Sequence, residues 1–473
     1  MNKFIYTPSG LSDVFENEYK QKKEIEAKAA EVFEEYGYKP VQTPMFEFSD
    51  IYDAASTLPS EKIFKFFDRD GRTLALRPDI TTSIARIAAT KMSDANEPLK
   101  LCYAGSSFRN DESFSRDRQR EFTQTGVELL GDYSVEADAE VIRIAIKTLL
   151  ACGLKKFKIG IGHSQKSNEA LEELQKVFEI LENEGYAKYL FIDSEMVPNL
   201  DYYTGIIVKG YTYKVGFPLV SGGRYDTLTE KFGKPMPATG ISIDIERVMS
   251  ALANVSTDDE DEYVTVALAK GRLSEYAIGL FETAGYDVSA MKEKSRKLIF
   301  EDTANKLRFI LVKAGDVPTY VEYGAADIGI VGKDTILEEG KKLFEMAAFD
   351  FGHCKISVCG KNESQLKDKN ILQVATKYPN IAKDYFHKKG QTVDIIKLNG
   401  SVELGPLIEL SDVIVDIVES GKTLEENGLK VLEDICELSA RLIVNRVSIK
   451  MKREKILEIS DKLKDAGEKR GNK

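Results

Sequence analysis

In "VSTDDEDEYV" five acidic residues follow one another without interruption, Asp258 to Glu262. A run of like charge this dense repels itself and holds its water, so it cannot be threaded through a packed core. It divides the chain into two stretches that must each bury their own apolar surface. With 473 residues, 42% of them hydrophobic, length alone leaves room for roughly three domains.

The two stretches differ in charge. Residues 1 to 262 hold 32 Lys+Arg against 44 Asp+Glu, a net charge of -12, and residues 263 to 473 hold 34 against 33, a net charge of +1, which together give the -11 of the whole chain. The acidity belongs to the first half, where it repels a phosphate backbone and argues against tRNA or DNA as a partner. "MNKFIYTPSG" lacks the apolar centre of a secretion signal, and no run of about 20 apolar residues offers a membrane span. A cytoplasmic protein is expected. The five cysteines (Cys102, Cys152, Cys354, Cys359, Cys436) are scattered and odd in number, which disfavours a disulfide framework. Cys354 and Cys359 have His353 beside them but no second ligand pair at zinc-site spacing, so they read as strand residues.

After the acidic run, strand and helix patterns alternate. "YVTVALA" (263–269), "LRFILVK" (307–313) and "ADIGIVG" (326–332) are short apolar β-rich runs, and "SEYAIGLFETAG" (274–285) has helical spacing with a glycine stop. "KISVCG", "ILQVATK", "TVDIIKL" and "DVIVDIV" continue the strands, with helices expected from Pro379 to Lys389 and near 401–410 and a closing amphipathic helix in "KREKILEISDKLKDAG". The alternation predicts parallel sheets covered by helices, grouped into two α/β lobes with a cleft between them. Before the run, a long polar helix (12–37) leads into short strands separated by charged or glycine-rich loops. That texture predicts an α+β domain whose antiparallel sheet can carry a polar pocket on its open face.

The sharpest local signal is "VDIVESGKTLEENG" (415–428). A strand that ends in Ser420-Gly421-Lys422-Thr423 and enters a helix turns several backbone amides and two hydroxyls toward one spot, which suits a phosphate. Asp416 and Glu419 just upstream cannot bind phosphate but suit the vicinal hydroxyls of a sugar, so the ligand read from the residues is a ribose 5-phosphate. The spacing is not that of a Walker loop. An ordinary strand-to-helix turn with a serine cap has the same residues. "ALAKGRLSE" adds Lys270, Gly271 and Arg272 at the exit of the first strand, two cations that would face a polyphosphate. "GDVPTYVEYGAADIGIVGKD" sets Asp316 and Pro318 at a helix start and Gly332, Lys333 and Asp334 at a strand end.

Taken with "VATKYPNIAKDYF" and "LNGSVELGPLIELSDVIVDIVESGKTL", these motifs resemble the short form of ATP phosphoribosyltransferase over nearly all of residues 263 to 466. One departure is Ala269, where the family more often has proline. The acid, acid, small, Gly, x, Thr order resembles the family's loop for phosphoribosyl pyrophosphate (PRPP). The resemblance implies a two-lobed, periplasmic-binding-protein-like transferase in which N1 of ATP's adenine displaces pyrophosphate from C1 of PRPP. It implies that Lys270 and Arg272, with Mg²⁺, neutralise the leaving pyrophosphate, that Asp416 and Glu419 orient the ribose, and that Ser420, Gly421, Lys422 and Thr423 anchor the 5-phosphate. Arg296, in "KSRKLIF", is a candidate for the ATP triphosphate and equally reads as a surface arginine. Which residues ligate Mg²⁺ is not legible.

The first half resembles the class II core of histidyl-tRNA synthetase in "LRPDITTSIAR", "SSFRNDESFSRDRQREFTQTGVELLG", "LDYYTGIIVKGY" and "SGGRYDTLTEKFGKPMPATGISIDIERV". Asp79, Thr81, Gln124 and Glu128 offer acceptors for an α-ammonium and an imidazole N–H, and Tyr202 or Tyr203 can pack on the ring; acidic groups suit a cationic amino acid. Two departures weigh against aminoacylation. Pro198 and Asn199 precede Leu200 where the synthetases carry Arg-Gly, and the transferase begins where an anticodon-binding domain would stand. Asp79, in place of glutamate, is similar to the synthetase-like regulatory subunit of ATP phosphoribosyltransferase. Arg109 and Arg247 stand where true synthetases touch ATP.

The expected organisation is a class II synthetase-like histidine-sensing domain (1–254), an acidic linker (255–262) and a catalytic region (263–473) with lobes at about 263–351 plus 445–473 and 352–444. Histidine is then an allosteric inhibitor of the second half, ATP and PRPP are its substrates, and the resemblance implies a homo-oligomer. A histidyl-tRNA synthetase with an appended domain and a non-catalytic solute-binding protein remain the alternatives at this stage.

Overall fold

The computed structural model describes residues 6–55, 58–111, 119–196, 202–254, 263–292, 296–362, 366 and 369–471. The acidic run, Pro198, Asn199 and Leu200 lie outside these residues. The chain forms two compact units, Met1–Ser256 and Thr257–Lys473. Among the described residues no helix is long and apolar enough to cross a membrane.

The first unit is built on an eight-stranded sheet in the order Lys39–Pro40, Leu99–Phe108, Glu121–Leu130, Ala238–Asp244, Val220–Arg224, Ile206–Thr212, Phe157–His163, Leu190–Ile192. Its inner pairings are antiparallel, as expected, and only the two edge pairs are parallel. A second, three-stranded sheet orders Phe46–Phe48, Thr73–Leu76 and Lys65–Phe67. One face of the large sheet is closed by the helices Glu16–Glu35, Val135–Ala151, Asn168–Asn183 and Ile245–Ala253, whose Ile25, Phe33, Ile142, Leu149, Val177 and Val248 share a core with Val127, Ile159 and Ile241. The caps are local and follow sequence. Ser134 and Ser167 accept from the amides of Ala137 and Ala170, each at 3.2 Å, satisfying donors that a helix start leaves unpaired. The long first helix begins at Glu16, four residues later than its pattern predicts; Ser12 instead donates to Gln119 Oε1 at 3.0 Å, holding the segment against a distant part of the chain.

The second unit carries two sheets. The first orders Ile299–Asp302, Leu307–Val312, Val264–Ala269, Ile328–Gly332, Ala440–Val444 and Phe344–Ala348; the other orders Val393–Lys397, Leu372–Thr376, Val413–Val418, Cys354–Gly360 and Lys430–Leu438. Each has three parallel strands extended by antiparallel ones, so the sheets are mixed where the pattern predicted parallel. The chain passes from the first sheet to the second between Ala348 and Cys354, and returns between Leu438 and Ala440. Each passage delivers its strand against the parallel direction. Ala440–Val444, assigned by sequence to the second lobe, pairs with the first sheet, moving that boundary back to Ser439. The helix expected near 401–410 is a single turn, Leu404–Leu407, bracketed by Ser401 and Glu409 at positive φ. Cys354 and Cys359 lie in a strand. The closing helix, Arg453–Gly471, packs Ile456, Ile459 and Leu463 with Leu280 and Phe281 of the helix Arg272–Thr283.

Candidate functional site

The opposite face of the first unit's large sheet, covered in part by the helix Thr81–Thr90, holds a polar cavity. Strand periodicity builds it. Phe122, Gln124 and Glu128 fall on one face of Glu121–Leu130 because successive side chains alternate, and Ser221, Gly223, Gly240 and Ser242 continue that surface across the neighbouring strands. Asp79, Thr81, Gln124, Glu128, Tyr202 and Tyr203 all line this one cavity. Glycine makes the room: Gly240 pairs with Glu128 across the ladder, and a Cβ there would lie 1.7 Å from Glu128 Oε2.

Glu128 is the buried centre, 1% exposed. Its Oε1 accepts from the hydroxyls of Thr81 at 2.6 Å and Tyr103 at 3.3 Å, and its Oε2 from Tyr225 at 2.6 Å. Burial pushes the carboxyl up to about 8, and these three hydroxyls pull it down only in part. Asp79 is similarly raised by burial, opposed by Thr82 and Arg109. Its Oδ1 caps the helix Thr81–Thr90, accepting from Thr82 N and Oγ1 at 2.9 Å each, and its buried Oδ2 has no hydrogen-bond partner among the described residues. An orphaned buried carboxylate oxygen is costly. It is an acceptor waiting for a donor. Gln124 is oriented by Ser107, whose hydroxyl donates to Oε1 at 2.7 Å, and the Tyr202 and Tyr203 rings pack with centroids 5.0 Å apart. Arg109 lies over Phe122 and donates to the Pro78 carbonyl at 3.4 Å, next to Asp79, and Arg247 is held by Asp244 at 3.1 Å and donates to the Pro218 carbonyl at 2.6 Å. The cavity thus carries buried acids and guanidinium groups together, with Arg109 near enough to Asp79 to draw its carboxyl down and Arg247 beside Asp244. Tyr103, Tyr225 and Gly240 surround Glu128 and were not singled out from the sequence; their signal was the ladder partner and hydroxyl reach of Glu128, visible only once strands are paired.

In the second unit the expected substrate residues stand at the carboxyl ends of parallel strands. Lys270 is exposed directly after Val264–Ala269, and Gly271, at φ +112°, opens the helix that begins with Arg272. Asp416 is half-buried in Val413–Val418, opposite Ser357, with its carboxyl raised by burial while Lys377 counteracts. Glu419, Ser420, Lys422 and Thr423 are exposed around Gly421, whose φ of +75° is the left-handed cap of Lys422–Glu426. That helix has five residues, so its macrodipole is small and what the turn can offer an anion is local amides and hydroxyls. The two groups occupy the carboxyl edges of different sheets. Arg296 is exposed in the segment before Ile299–Asp302.

Comparison with known proteins completes the picture. The family model described as ATP phosphoribosyltransferase matches residues 313–465, and that described as histidyl-tRNA synthetase matches residues 10–167 and 163–248. An ATP phosphoribosyltransferase of Lachnoclostridium phytofermentans is 57% identical over 208 residues, 43% of this chain and 97% of that relative. One of Ruminiclostridium cellulolyticum is 55% identical over 212 residues, 44% of this chain and 99% of the relative. A solved structure from Bacillus halodurans, described as an ATP phosphoribosyltransferase regulatory subunit/histidyl-tRNA synthetase, is 27% identical with a TM-score of 0.50, covering 66% of this chain and 100% of that one. Relatives matched almost end to end at this identity leave one assignment: the chain belongs to the ATP phosphoribosyltransferase family through its second half, and carries ahead of it a half similar to histidyl-tRNA synthetase.

Proposed function

We propose that the second unit condenses ATP with PRPP to phosphoribosyl-ATP and pyrophosphate, opening histidine biosynthesis, and that the first unit senses histidine and inhibits it. The transferase reading is carried by the end-to-end similarity to named ATP phosphoribosyltransferases. In a two-lobed, periplasmic-binding-protein-like arrangement, Lys270 and Arg272 take the pyrophosphate, Asp416 and Glu419 the ribose hydroxyls, and the turn Ser420 to Thr423 the 5-phosphate. The adenine N1 lone pair forms the bond to C1 while the C1–O bond breaks and its electrons leave on pyrophosphate. Positioning and charge neutralisation supply the acceleration; N1 carries its own lone pair, so no general base is required. Arg296 serves the ATP triphosphate.

Among the described residues no cluster of three or more His, Cys, Asp or Glu forms a ready cage for a metal. That fits Mg²⁺, which is held by substrate phosphates with one or two carboxylates rather than by an all-protein cage. Asp416 in the strand and Glu419 just after it are the carboxylates that would hold such an ion, which would supply neutralisation of phosphate charge.

The sensor reading rests on Asp79 Oδ2, buried without a donor beside the Glu128 carboxyl. The α-ammonium and imidazole N–H of histidine supply donors to these acids, and Arg109 or Arg247 its carboxylate partner. Histidine then inhibits by binding differently to two states of a homo-oligomeric, cytoplasmic enzyme. The test is a turnover assay with Mg²⁺, ATP and PRPP, following phosphoribosyl-ATP and pyrophosphate with and without histidine. Turnover that histidine suppresses is expected; turnover indifferent to histidine sinks the sensor, and no turnover sinks the transferase.

A pH dependence follows. With a carboxyl pKa of about 8, Glu128 is protonated at neutral pH in the empty cavity. A cationic donor beside it favours the carboxylate, so binding expels its proton and the affinity rises with pH up to about 8. Histidine affinity is expected to rise by up to about tenfold per pH unit between roughly pH 6.5 and 7.5. Calorimetry in buffers of different protonation enthalpy measures the released proton; zero release refutes the assignment of Glu128.

A further inference from the structure

In the second unit, the helix Pro379–Lys388 starts without a cap of its own. Its N-cap is Tyr378, which offers no side-chain acceptor to the first turn, and Pro379 follows. The first amides are met from elsewhere. Glu338, on the helix Lys333–Glu339 that leaves the first sheet, accepts from Asn380 N at 3.2 and 3.0 Å and from Ile381 N at 3.2 Å, while its carbonyl accepts from Asn380 Nδ2 at 2.9 Å. A second tie runs alongside: Tyr378 donates to Asp334 Oδ2 at 3.3 Å. Both ties join one sheet to the other.

Their place in the topology gives them a consequence. Lys333–Glu339 follows the carboxyl end of Ile328–Gly332, the parallel neighbour of the strand Val264–Ala269 that leads to Lys270. Pro379–Lys388 follows the carboxyl end of Leu372–Thr376, the parallel neighbour of the strand that leads to Ser420–Thr423. The capped segment also reaches the ribose-side strand directly. Thr376, fully buried, donates to Val415 O at 2.6 Å and accepts from Tyr378 N at 2.8 Å, and Val415 precedes Asp416. One hydrogen-bonded line therefore runs from Glu338 through the start of the helix to the backbone beside Asp416.

We propose that Glu338 is a positioning residue for the transfer, setting the separation between the edge that takes pyrophosphate and the edge that takes ribose 5-phosphate. The proposal rests on the transferase reading above. PRPP carries both groups on one ribose, so it is the ligand that feels this separation. Ribose 5-phosphate alone touches one edge and does not.

The test compares the full chain with Glu338→Ala, Glu338→Gln and Tyr378→Phe. Glu338→Ala is expected to raise the KM for PRPP about tenfold or more while the Kd for ribose 5-phosphate changes less than about twofold. Glu338→Gln keeps one carbonyl acceptor for the helix amides and falls between, and Tyr378→Phe, which loses only the second tie, shifts the PRPP KM in the same direction and guards against a misfolded alanine variant. An unchanged PRPP KM in Glu338→Ala, or equal weakening of PRPP and ribose 5-phosphate, overturns the proposal. A wild-type chain with no PRPP turnover fails at the control and removes the transferase reading and the proposal together.

Discussion

Replacing Gly240 by alanine is expected to raise the histidine concentration for half-inhibition by about a hundredfold or more, the equivalent of losing about 3 kcal/mol of binding. The reason is spatial. Gly240 stands opposite Glu128 in the ladder, and an added Cβ would sit 1.7 Å from Glu128 Oε2, the oxygen that also accepts from Tyr225 at 2.6 Å. The carboxyl has to swing away, because the other near atom, the Val127 carbonyl oxygen at 2.7 Å, is backbone and yields less. A displaced Glu128 leaves Tyr225 without its acceptor and presents no anion to the imidazole or ammonium. Glu128→Gln is the companion that keeps the volume and removes the charge, and its loss should approach that of Gly240→Ala. Each variant's half-inhibition is read against its own uninhibited rate, so an altered basal rate does not enter the comparison. If both variants respond to histidine like the parent chain, this cavity is not where histidine acts.

The reach of sequence reading differs between the halves for physical reasons. Val264–Ala269 is buried through most of its length and Val413–Val418 through its first half, and both read as apolar runs. Lys430–Leu438 escaped because its side chains are mostly half-exposed and interleaved with Lys430, Glu433, Asp434 and Glu437, which looks like a solvated loop until the strand is paired. Strand direction is absent from hydrophobicity altogether. In the first sheet one antiparallel pair is the local hairpin Ile299–Asp302 with Leu307–Val312, but the strands Cys354–Gly360 and Ala440–Val444 owe their direction to two crossings of the chain between the sheets, a long-range property.

At the sites, residue chemistry was legible and assembly was not. Asp79 and Glu128 announce themselves as acids embedded in apolar surroundings, yet they meet only because Glu121–Leu130 lies beside Ala238–Asp244 and above the start of Thr81–Thr90. Tyr103 and Tyr225 carry no mark in the chain that separates them from other tyrosines. Glu338 is the extreme case. It looks like the ordinary polar end of a short helix, and its role as the cap of a helix 42 residues away is written only in three dimensions.

The turn Ser420 to Thr423, proposed to hold the 5-phosphate, permits a test that separates backbone conformation from bulk. Gly421 holds φ +75°, and a Cβ built there meets nothing within 4 Å, so any cost of substitution in the unliganded chain lies in the backbone. Asparagine tolerates the left-handed region and valine does not. Gly421→Val should therefore force the turn out of its shape, scattering the amides and hydroxyls of Ser420 to Thr423, whereas Gly421→Asn should keep it. Losing one or two hydrogen bonds to a charged phosphate costs about 3 kcal/mol, roughly a hundredfold in kcat/KM for PRPP. The expected result is a loss of that size in Gly421→Val, expressed mainly in the KM for PRPP, with Gly421→Asn within about fivefold of the parent. Equal losses in both would mean that bound phosphate approaches the Cα closely enough to reject any side chain, so that the glycine serves contact instead of conformation. No loss in either would remove Ser420 to Thr423 from the PRPP site, because a turn that survives both changes without effect on PRPP does not hold its phosphate.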